Sequence, residues 1–599
     1  MKWRFYTNNT VKPAGWLLRQ LRIQADGLSG HLDKIWPDIR DSAWIGGDRE
    51  GWERVPYWLD GFIPLAYQLE DADLISRAKR YIDAILAAQQ DSGWICPCTE
   101  DRIPTYDTWA VQLISKVLVV YYEYSGDLRI PEALRRVLKN YYDLLASGTI
   151  TLFRWGKARW FECFIAIGFL WERKPEPWLR ELAKLLKAQG TDYPSFTDRW
   201  KRPLNQWTFE THIVNMGMML KYEAVSFRLL GLPYEDQAEK LHRVLSACNG
   251  MPVGTFTGDE CLSGLSPIQG TELCGVVEQM YSYEWLYAVT GEEKWAERLE
   301  LLAFNALPAT LSEDMWAHQY DQLSNQIACQ TFPGKPIFST NGRDAHLFGL
   351  EPNYGCCTAN FSQGWPKFAA AAFLHRDGEI LSALPVPSVL DCREAYIRLE
   401  TDYPFRHQFR YTIEARKDIH FRMRIPGFAR NIKVNGLPAF SVEADVKAGD
   451  RQILEVSFET ELRLLQRPHD LHTLQWGSLV FALPIRYDKI PLEYERNGVE
   501  RKFPYCDYEY VPADAWNYAY ASGEFSLQFH GVGQIPFSES APPVTVQATM
   551  QQIPWGLEDR YEAVCAKVPQ SRTPIGAPEE KCLYPYGCAK LRMTELPLI

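Results

Sequence analysis

Long apolar runs are missing from this chain. Among its 599 residues the uninterrupted ones are short, Phe368 to Leu374 being one, far below the roughly 20 residues that a membrane-spanning helix needs. No block of basic residues stands out. Net charge is −11, from 64 Lys and Arg against 75 Asp and Glu, so the electrostatic footprint of a nucleic-acid-binding protein is excluded. The opening Met1-Lys-Trp-Arg-Phe-Tyr-Thr-Asn-Asn9 holds no apolar stretch of signal-peptide length, and the expectation is a cytoplasmic protein with no membrane partner. Disorder over most of the chain is also excluded, because 46% of residues are hydrophobic and only 23% charged. Without an export signal, the 14 cysteines read as thiols or metal ligands before disulfides. Aromatics are abundant, at 13% with 21 Trp and 31 Tyr. Most must pack a core, and sugar-binding clefts use the same faces.

The first two-thirds reads as helical. Residues 58–90 carry apolar positions at helical spacing (Ile75, Ala78, Ile82, Ile85, Leu86), and 105–147, 161–190, 207–250 and 271–309 repeat the idea. In each unit a long apolar helix ends in a turn such as Ser125-Gly-Asp or Thr290-Gly-Glu-Glu, and an amphipathic helix follows. Helix pairs of roughly 40–50 residues mean a solenoid or a closed toroid. Five pairs plus the poorly periodic segment 1–57 make about six, the count of an (α/α)6 barrel, with the more hydrophobic helices inside. Near residue 376 the texture changes to short alternating runs, as in Ala395-Tyr-Ile-Arg-Leu, His420-Phe-Arg-Met-Arg-Ile and Ile453-Leu-Glu-Val-Ser-Phe. Turns such as Val434-Asn-Gly separate them, the pattern of antiparallel β-sandwich structure. The expected class is α+β and multidomain. A helical domain covers 1–375 and β-sandwich structure 376–599, with a subdivision into two jelly-roll-like parts left open around 537–545.

Three stretches carry chemistry: Gly258-Asp-Glu260, Glu272-Leu-Cys274 and Gly355-Cys356-Cys357-Thr-Ala-Asn360. Adjacent cysteines seldom bond to each other, yet both can face one metal ion where the backbone turns sharply, as Gly355 permits. One carboxylate and three thiolates form a ligand mixture that zinc accepts. Neither C-C nor E-x-C is a standard zinc-ribbon spacing, so on spacing alone a small apolar core thiol is the competing reading for each cysteine.

These stretches resemble glycoside hydrolase family 127, the β-L-arabinofuranosidase family. Gly47 to Gly61 resembles an N-terminal block. Gly258 to Glu278, Gly355 to Asn360 and Gln363-Gly-Trp-Pro-Lys-Phe368 resemble the active-site blocks. Phe421 to Ala429, Gly477 to Pro484 and Pro585-Tyr-Gly-Cys588 resemble the later ones. The resemblance implies an (α/α)6 barrel followed by β-sandwich domains. It implies Zn2+ held by Glu272, Cys274, Cys356 and Cys357, with Cys356 also the nucleophile and Glu260 the general acid/base. It further implies a retaining glycosidase of β-L-arabinofuranosides, and a barrel pocket suits an exo enzyme that releases terminal β-L-arabinofuranose from plant-derived oligosaccharides. Two departures stand out. Thr358 and Ala359 replace two prolines of the founding members, and the step from Glu260 to Glu272 is shorter. Both are expected to line the pocket and bear on sugar specificity. The alternatives are a related glycosidase acting on another rare plant sugar, and a non-catalytic carbohydrate-binding protein with structural zinc.

Further candidates for substrate binding are Glu53, Tyr57, Asp107, Trp160, Glu162, His212 and Tyr354. Glu53 and Tyr57 lie four apart and would share a helix face. Asp107 serves equally as a helix cap, and Trp160, Glu162 and His212 stand at presumed inner-helix starts. His318 and His346 fall in loop-like sequence, as sugar contacts or solvated side chains. Cys96, Cys98, Cys163, Cys261 and Cys329 are expected to be structural thiols. The partner is an oligosaccharide or glycoside, with a homodimer through the C-terminal region left open.

Overall fold

In the computed structural model, which describes residues 1–332 and 337–599, helices dominate as far as Ala370 and strands from Phe373 onward. The division follows the local sequence. Helix Trp109–Ser125 is buried continuously from Trp109 to Tyr121, whereas the following Ile130–Ala146 buries one stripe, including Ile130, Leu134, Val137, Leu138 and Tyr141. Gly126 ends the first at φ 66°, a left-handed position that favours glycine, and Pro131 sits in the first turn of the second.

Six helices close a circuit. Helix Arg54–Gln68 packs on Trp109–Ser125, then follow Cys163–Arg173, Tyr222–Leu230, Leu273–Thr290 and Gly364–Ala370, which returns to Arg54–Gln68. Each has a partner outside it: Ala72–Ala87, Ile130–Ala146, Pro177–Gln189, Gln237–Asn249, Glu293–Leu301 and, for the last, the N-terminal Gly15–Asp26. The ring closes tightly at Gly61, where a Cβ would come within 2.2 Å of the Ser362 carbonyl carbon.

The β-rich region holds three main sheets. One, of five strands, runs Arg4–Phe5, Phe373–Arg376, Glu379–Ser382, Ile419–Met423, Val442–Val446. A seven-stranded sheet ends on Val11–Pro13, which pairs with Ser388–Asp391. The residues at the start of the chain thus join sheets built from its second half. In the third sheet, Arg592–Met593 pairs with Asn325–Gln326 and ties the far end of the chain to the loops beside the helical ring. Strand Gln408–Ala415 alternates exposed and buried residues, as the period-2 pattern predicts.

Inside the ring lies a layer of buried charge. Lys116 Nζ is 3.0 Å from Asp60 Oδ2 and 3.6 Å from Glu162 Oε2, Lys367 Nζ is 2.6 Å from Asp60 Oδ2, and Lys221 pairs with Glu162 Oε1. Burial opposes ionisation of Glu162, but Lys221 and Lys116 outweigh it and hold the carboxyl below the ordinary range. Glu162 is therefore committed to the core. Removing one partner of such a set leaves an uncompensated buried charge. Glu162→Gln is expected to cost about 3–5 kcal/mol of stability, read as a lowered denaturant midpoint in chemical unfolding.

Candidate active site

Cys356 and Cys357 open the short helix Cys356–Asn360. Gly355 before them passes so close to Trp36 that a Cβ would meet its ring at 2.6 Å. Cys274 is the second residue of helix Leu273–Thr290, and Glu272 lies in the two-residue strand before it, paired with Asp321. The Glu272 carboxylate and the three sulfurs come within 4.8 Å of one another. Glu272 Oε1 is 3.8 Å from both Cys356 Sγ and Cys357 Sγ, and the backbone N–H of Cys274 donates to Cys357 Sγ at 3.3 Å.

The electrostatics of this group favour a cation. Burial pushes the Cys274 and Cys357 thiols well above their ordinary values. Burial, then the charges of Glu260, Cys356 and Asp321, push Glu272 up as well. Cys356 is the exception. Hydrogen bonds from Cys274 and Cys357 hold it well below the ordinary thiol value against burial, and the Arg54 guanidinium adds to this. Among the described residues, Glu272 Oε2 is buried without a hydrogen-bond partner. Soft sulfur donors plus one orphaned carboxylate oxygen fit a tetrahedral zinc set. His212, Glu260 and Glu272 form a second, overlapping group within the same span, but it lacks thiol ligands.

Glu260 is gripped from three sides. Trp207 Nε1–H donates to Oε2 and His212 Nε2 is hydrogen-bonded to the same oxygen, both at 3.0 Å, and the Tyr320 hydroxyl donates to Oε1 at 2.6 Å. The same hydroxyl is 3.2 Å from Cys356 Sγ. Glu260 also has φ 104°, unusual for a non-glycine residue, and its carbonyl accepts from Ile213 N–H at 2.7 Å. Backbone held in such a sparsely populated conformation collects at functional sites.

The walls are aromatic and cationic. Arg159 lies over the rings of Trp109 and Trp155, at 4.6 and 4.3 Å, and donates to Tyr57 Oη at 2.9 Å. Glu53 accepts from Trp109 Nε1–H at 2.9 Å and from Arg54 at 2.6 Å. Tyr354 is 57% exposed, with its ring 6.3 Å from that of Tyr320, and so stands at the mouth. His212 is thus connected to the thiol group through Glu260 and Tyr320, with Tyr354 beside Tyr320, while Glu53 pairs with Arg54, whose charge acts on Cys356, and Tyr57 with Arg159.

Other expected site residues have different employment. Asp107 spends its carboxylate on the backbone N–H groups of Trp109, Trp155 and Gly156, at 3.1, 3.0 and 2.8 Å, the capping role that competed with substrate binding. The Trp160 indole is buried, bonded to the Thr191 carbonyl and packed on Phe161, Phe164 and Tyr222. His318 and His346 are fully buried rather than solvated. His318 contacts Thr358 Oγ1 at 3.0 Å, and burial lowers its pKa to about 4. Thr358 and Ala359 are likewise fully enclosed instead of lining an open pocket, and the Thr358 hydroxyl donates to the Leu350 carbonyl at 2.7 Å.

No family model matches this chain, and no curated protein does. Solved structures do. A protein described as a glycoside hydrolase superposes over 100% of this chain and 98% of its own, at TM-score 0.70 and 15% identity. A GH127 β-arabinofuranosidase covers 100% and 98%, at TM-score 0.68 and 14% identity. A GH127 β-L-arabinofuranosidase from Geobacillus stearothermophilus T6 covers 98% of this chain and 100% of its own, at TM-score 0.69 and 13% identity. The chain has the whole-length fold of these carbohydrate-active enzymes. Among the described residues no helix is long and apolar enough to cross a membrane.

Proposed function

We propose that this chain belongs to glycoside hydrolase family 127 and is a retaining exo-glycosidase. On this reading its substrate is terminal β-L-arabinofuranose on plant-derived oligosaccharides. The helical circuit is read as an (α/α)6 barrel, followed by β-sandwich structure. The observation that carries the proposal is the Tyr320 hydroxyl, within hydrogen-bond reach of both Glu260 Oε1 and Cys356 Sγ. Acid/base and nucleophile are one hydroxyl apart, the short separation that a double displacement at one anomeric carbon requires. The shared fold of the two GH127 enzymes supports the substrate class.

Zinc held by Glu272, Cys274, Cys356 and Cys357 would keep the sulfurs as thiolates at neutral pH. Cys356 sulfur attacks the anomeric carbon, and Glu260 gives its proton to the departing glycosidic oxygen. A thioglycosyl-enzyme results. Glu260, now a carboxylate, takes a proton from water as that water displaces sulfur, and configuration is retained overall. Trp207 and His212 hold the Glu260 side chain in place at Oε2. A binding module with structural zinc would have no use for an acid so placed.

The test is zinc content and hydrolysis of para-nitrophenyl β-L-arabinofuranoside on one purified sample. About one zinc per chain, as a single four-ligand site implies, together with turnover is the expected result. Zinc without turnover on this glycoside would overturn the sugar assignment and direct a panel of other rare-sugar glycosides. Turnover by metal-free protein would remove zinc-thiolate chemistry. Tyr320→Phe is expected to lower kcat about 10- to 100-fold with little change in KM, because the hydroxyl orients the two reacting groups rather than binding the sugar. Steady-state kinetics with the same glycoside reads it.

A further inference from the structure

Glu260 is held at its backbone as well as at its carboxyl. Its φ of 104° is one that residues with a Cβ rarely adopt. On one edge the chain pairs with the segment before helix Ile213–Met219. There the Glu260 carbonyl accepts from Ile213 N–H at 2.7 Å, and Leu262 N–H donates to the Thr211 carbonyl at 2.9 Å. The Asp259 carbonyl and the Cys261 N–H, which flank the Glu260 Cα, both go to one hydroxyl instead. Cys261 N–H donates to Thr340 Oγ1 at 3.1 Å. The Thr340 hydroxyl in turn shares its hydrogen between the Asp259 carbonyl at 3.1 Å and Asp259 Oδ1 at 3.0 Å. These two peptide groups are the ones whose rotation sets φ and ψ of Glu260, so a single oxygen brackets the strained position.

Thr340 comes from a loop 81 residues beyond Asp259, and its neighbours are tied down on both sides. Ser339 N–H donates to Asp259 Oδ2 at 2.5 Å, and the Ser339 hydroxyl donates to Asn205 Oδ1 at 3.0 Å, two residues before Trp207. Asn341 Nδ2–H donates to Asp321 Oδ2 at 2.6 Å, next to Tyr320. Asp259 and Asp321 are both fully buried. Three consecutive residues thus bond to the chain neighbours of Trp207, Glu260 and Tyr320, and Trp207 and Tyr320 are two of the groups that meet the Glu260 carboxyl.

We infer that Thr340 is a positioning residue whose hydroxyl fixes the Glu260 backbone so that the carboxyl reaches Tyr320, Trp207 and His212, an assignment that rests on reading Glu260 as the acid/base. The oxygen makes all three contacts. Thr340→Val therefore keeps the shape and removes the bracket, and Thr340→Ser keeps the bracket.

Methyl and para-nitrophenyl β-L-arabinofuranoside, compared on the full chain, provide the test. Methoxide needs a proton in order to depart, and nitrophenolate does not. Thr340→Val is expected to lower kcat on the methyl glycoside about 10- to 100-fold, the effect of a catalytic group displaced by about 1 Å. KM should change little, and the first-turnover release of nitrophenol should stay close to normal. Thr340→Ser is expected to match the unsubstituted enzyme on both. Thr340→Ala repeats the comparison if the valine variant does not fold. Equal losses on the two glycosides, no loss on the methyl glycoside, or a serine variant as impaired as the valine one would each overturn the inference. Glu260→Ala, run beside them, isolates the underlying reading, which fails if that variant hydrolyses the methyl glycoside at the unsubstituted rate. In that case, or if the enzyme turns over neither glycoside, a crystal structure of Thr340→Val decides the positioning role. Glu260 is expected there to leave its φ of 104° and its bond to Tyr320, and an unchanged Glu260 would overturn the inference.

Discussion

Cys356→Ser is expected to lose glycosidase turnover by about 10⁴-fold or more while remaining folded, as removal of a covalent nucleophile does in enzymes whose catalytic groups act as a unit. The substitution replaces one atom in a partly exposed side chain. Its chemical effect is large, because the pull of Cys274, Cys357 and Arg54 that favours a thiolate at this position cannot ionise an aliphatic hydroxyl near neutral pH. Cys357→Ser is the informative companion. Cys357 is fully buried and its sulfur accepts the Cys274 backbone N–H, so this change strikes packing and metal retention as well as rate. Circular dichroism, zinc content and turnover measured on both variants separate the roles. A folded Cys356→Ser enzyme with substantial turnover would sink thiolate nucleophilicity and turn attention to a carboxylate, Glu272 being nearest to the sulfur.

The paired-helix pattern was readable because inner helices are apolar almost continuously and outer ones along one stripe. Helix Gly15–Asp26, which packs on Gly364–Ala370, is obscured in the sequence by its own packing. Gln20 and Gln24 are buried there, and Gln24 bonds to the Ser362 carbonyl at 2.7 Å, so polar letters occupy core positions and blur the period. Glu272, Cys274, Cys356 and Cys357 were found from local pattern and resemblance, and they do converge. Tyr320 carries no such local pattern. Its place depends on the short pairing of Thr271–Glu272 with Asp321–Gln322 and on the bond from Leu273 N–H to the Tyr320 carbonyl. That register joins segments about fifty residues apart and leaves no trace in spacing. Arg159 lies one position before the helix-start residues Trp160 and Glu162. The helix-start pattern points to Trp160 and Glu162, whereas the short 3-10 turn at Trp160–Glu162 sends those two into the core and leaves Arg159 to meet Tyr57. Trp207 carried a usable signal, since it lies five residues before His212 in an aromatic-rich stretch, and both side chains bond Glu260.

Glu260→Ala separates the two halves of the proposed cycle. With an oligosaccharide whose leaving group is a sugar hydroxyl, the departing oxygen needs a proton, and turnover is expected to fall about 10²- to 10⁴-fold. With a para-nitrophenyl glycoside the leaving phenol is acidic enough to depart unaided, so the first displacement is expected to be nearly normal and the second to become limiting. The thioglycosyl-enzyme should then accumulate, visible as a burst of nitrophenol. Azide, which attacks without needing a base, should restore turnover and yield a glycosyl azide of retained configuration. This pattern is specific to an acid/base, because Trp207, His212 and Tyr320 all remain after the substitution. Tyr320 is the instructive rival. Its hydroxyl touches both reacting groups, and if it were the proton donor, Glu260→Ala would leave the natural substrate and the aryl glycoside equally affected. Equal losses on both substrates together with failure of azide rescue would therefore move the acid/base role from Glu260 to Tyr320.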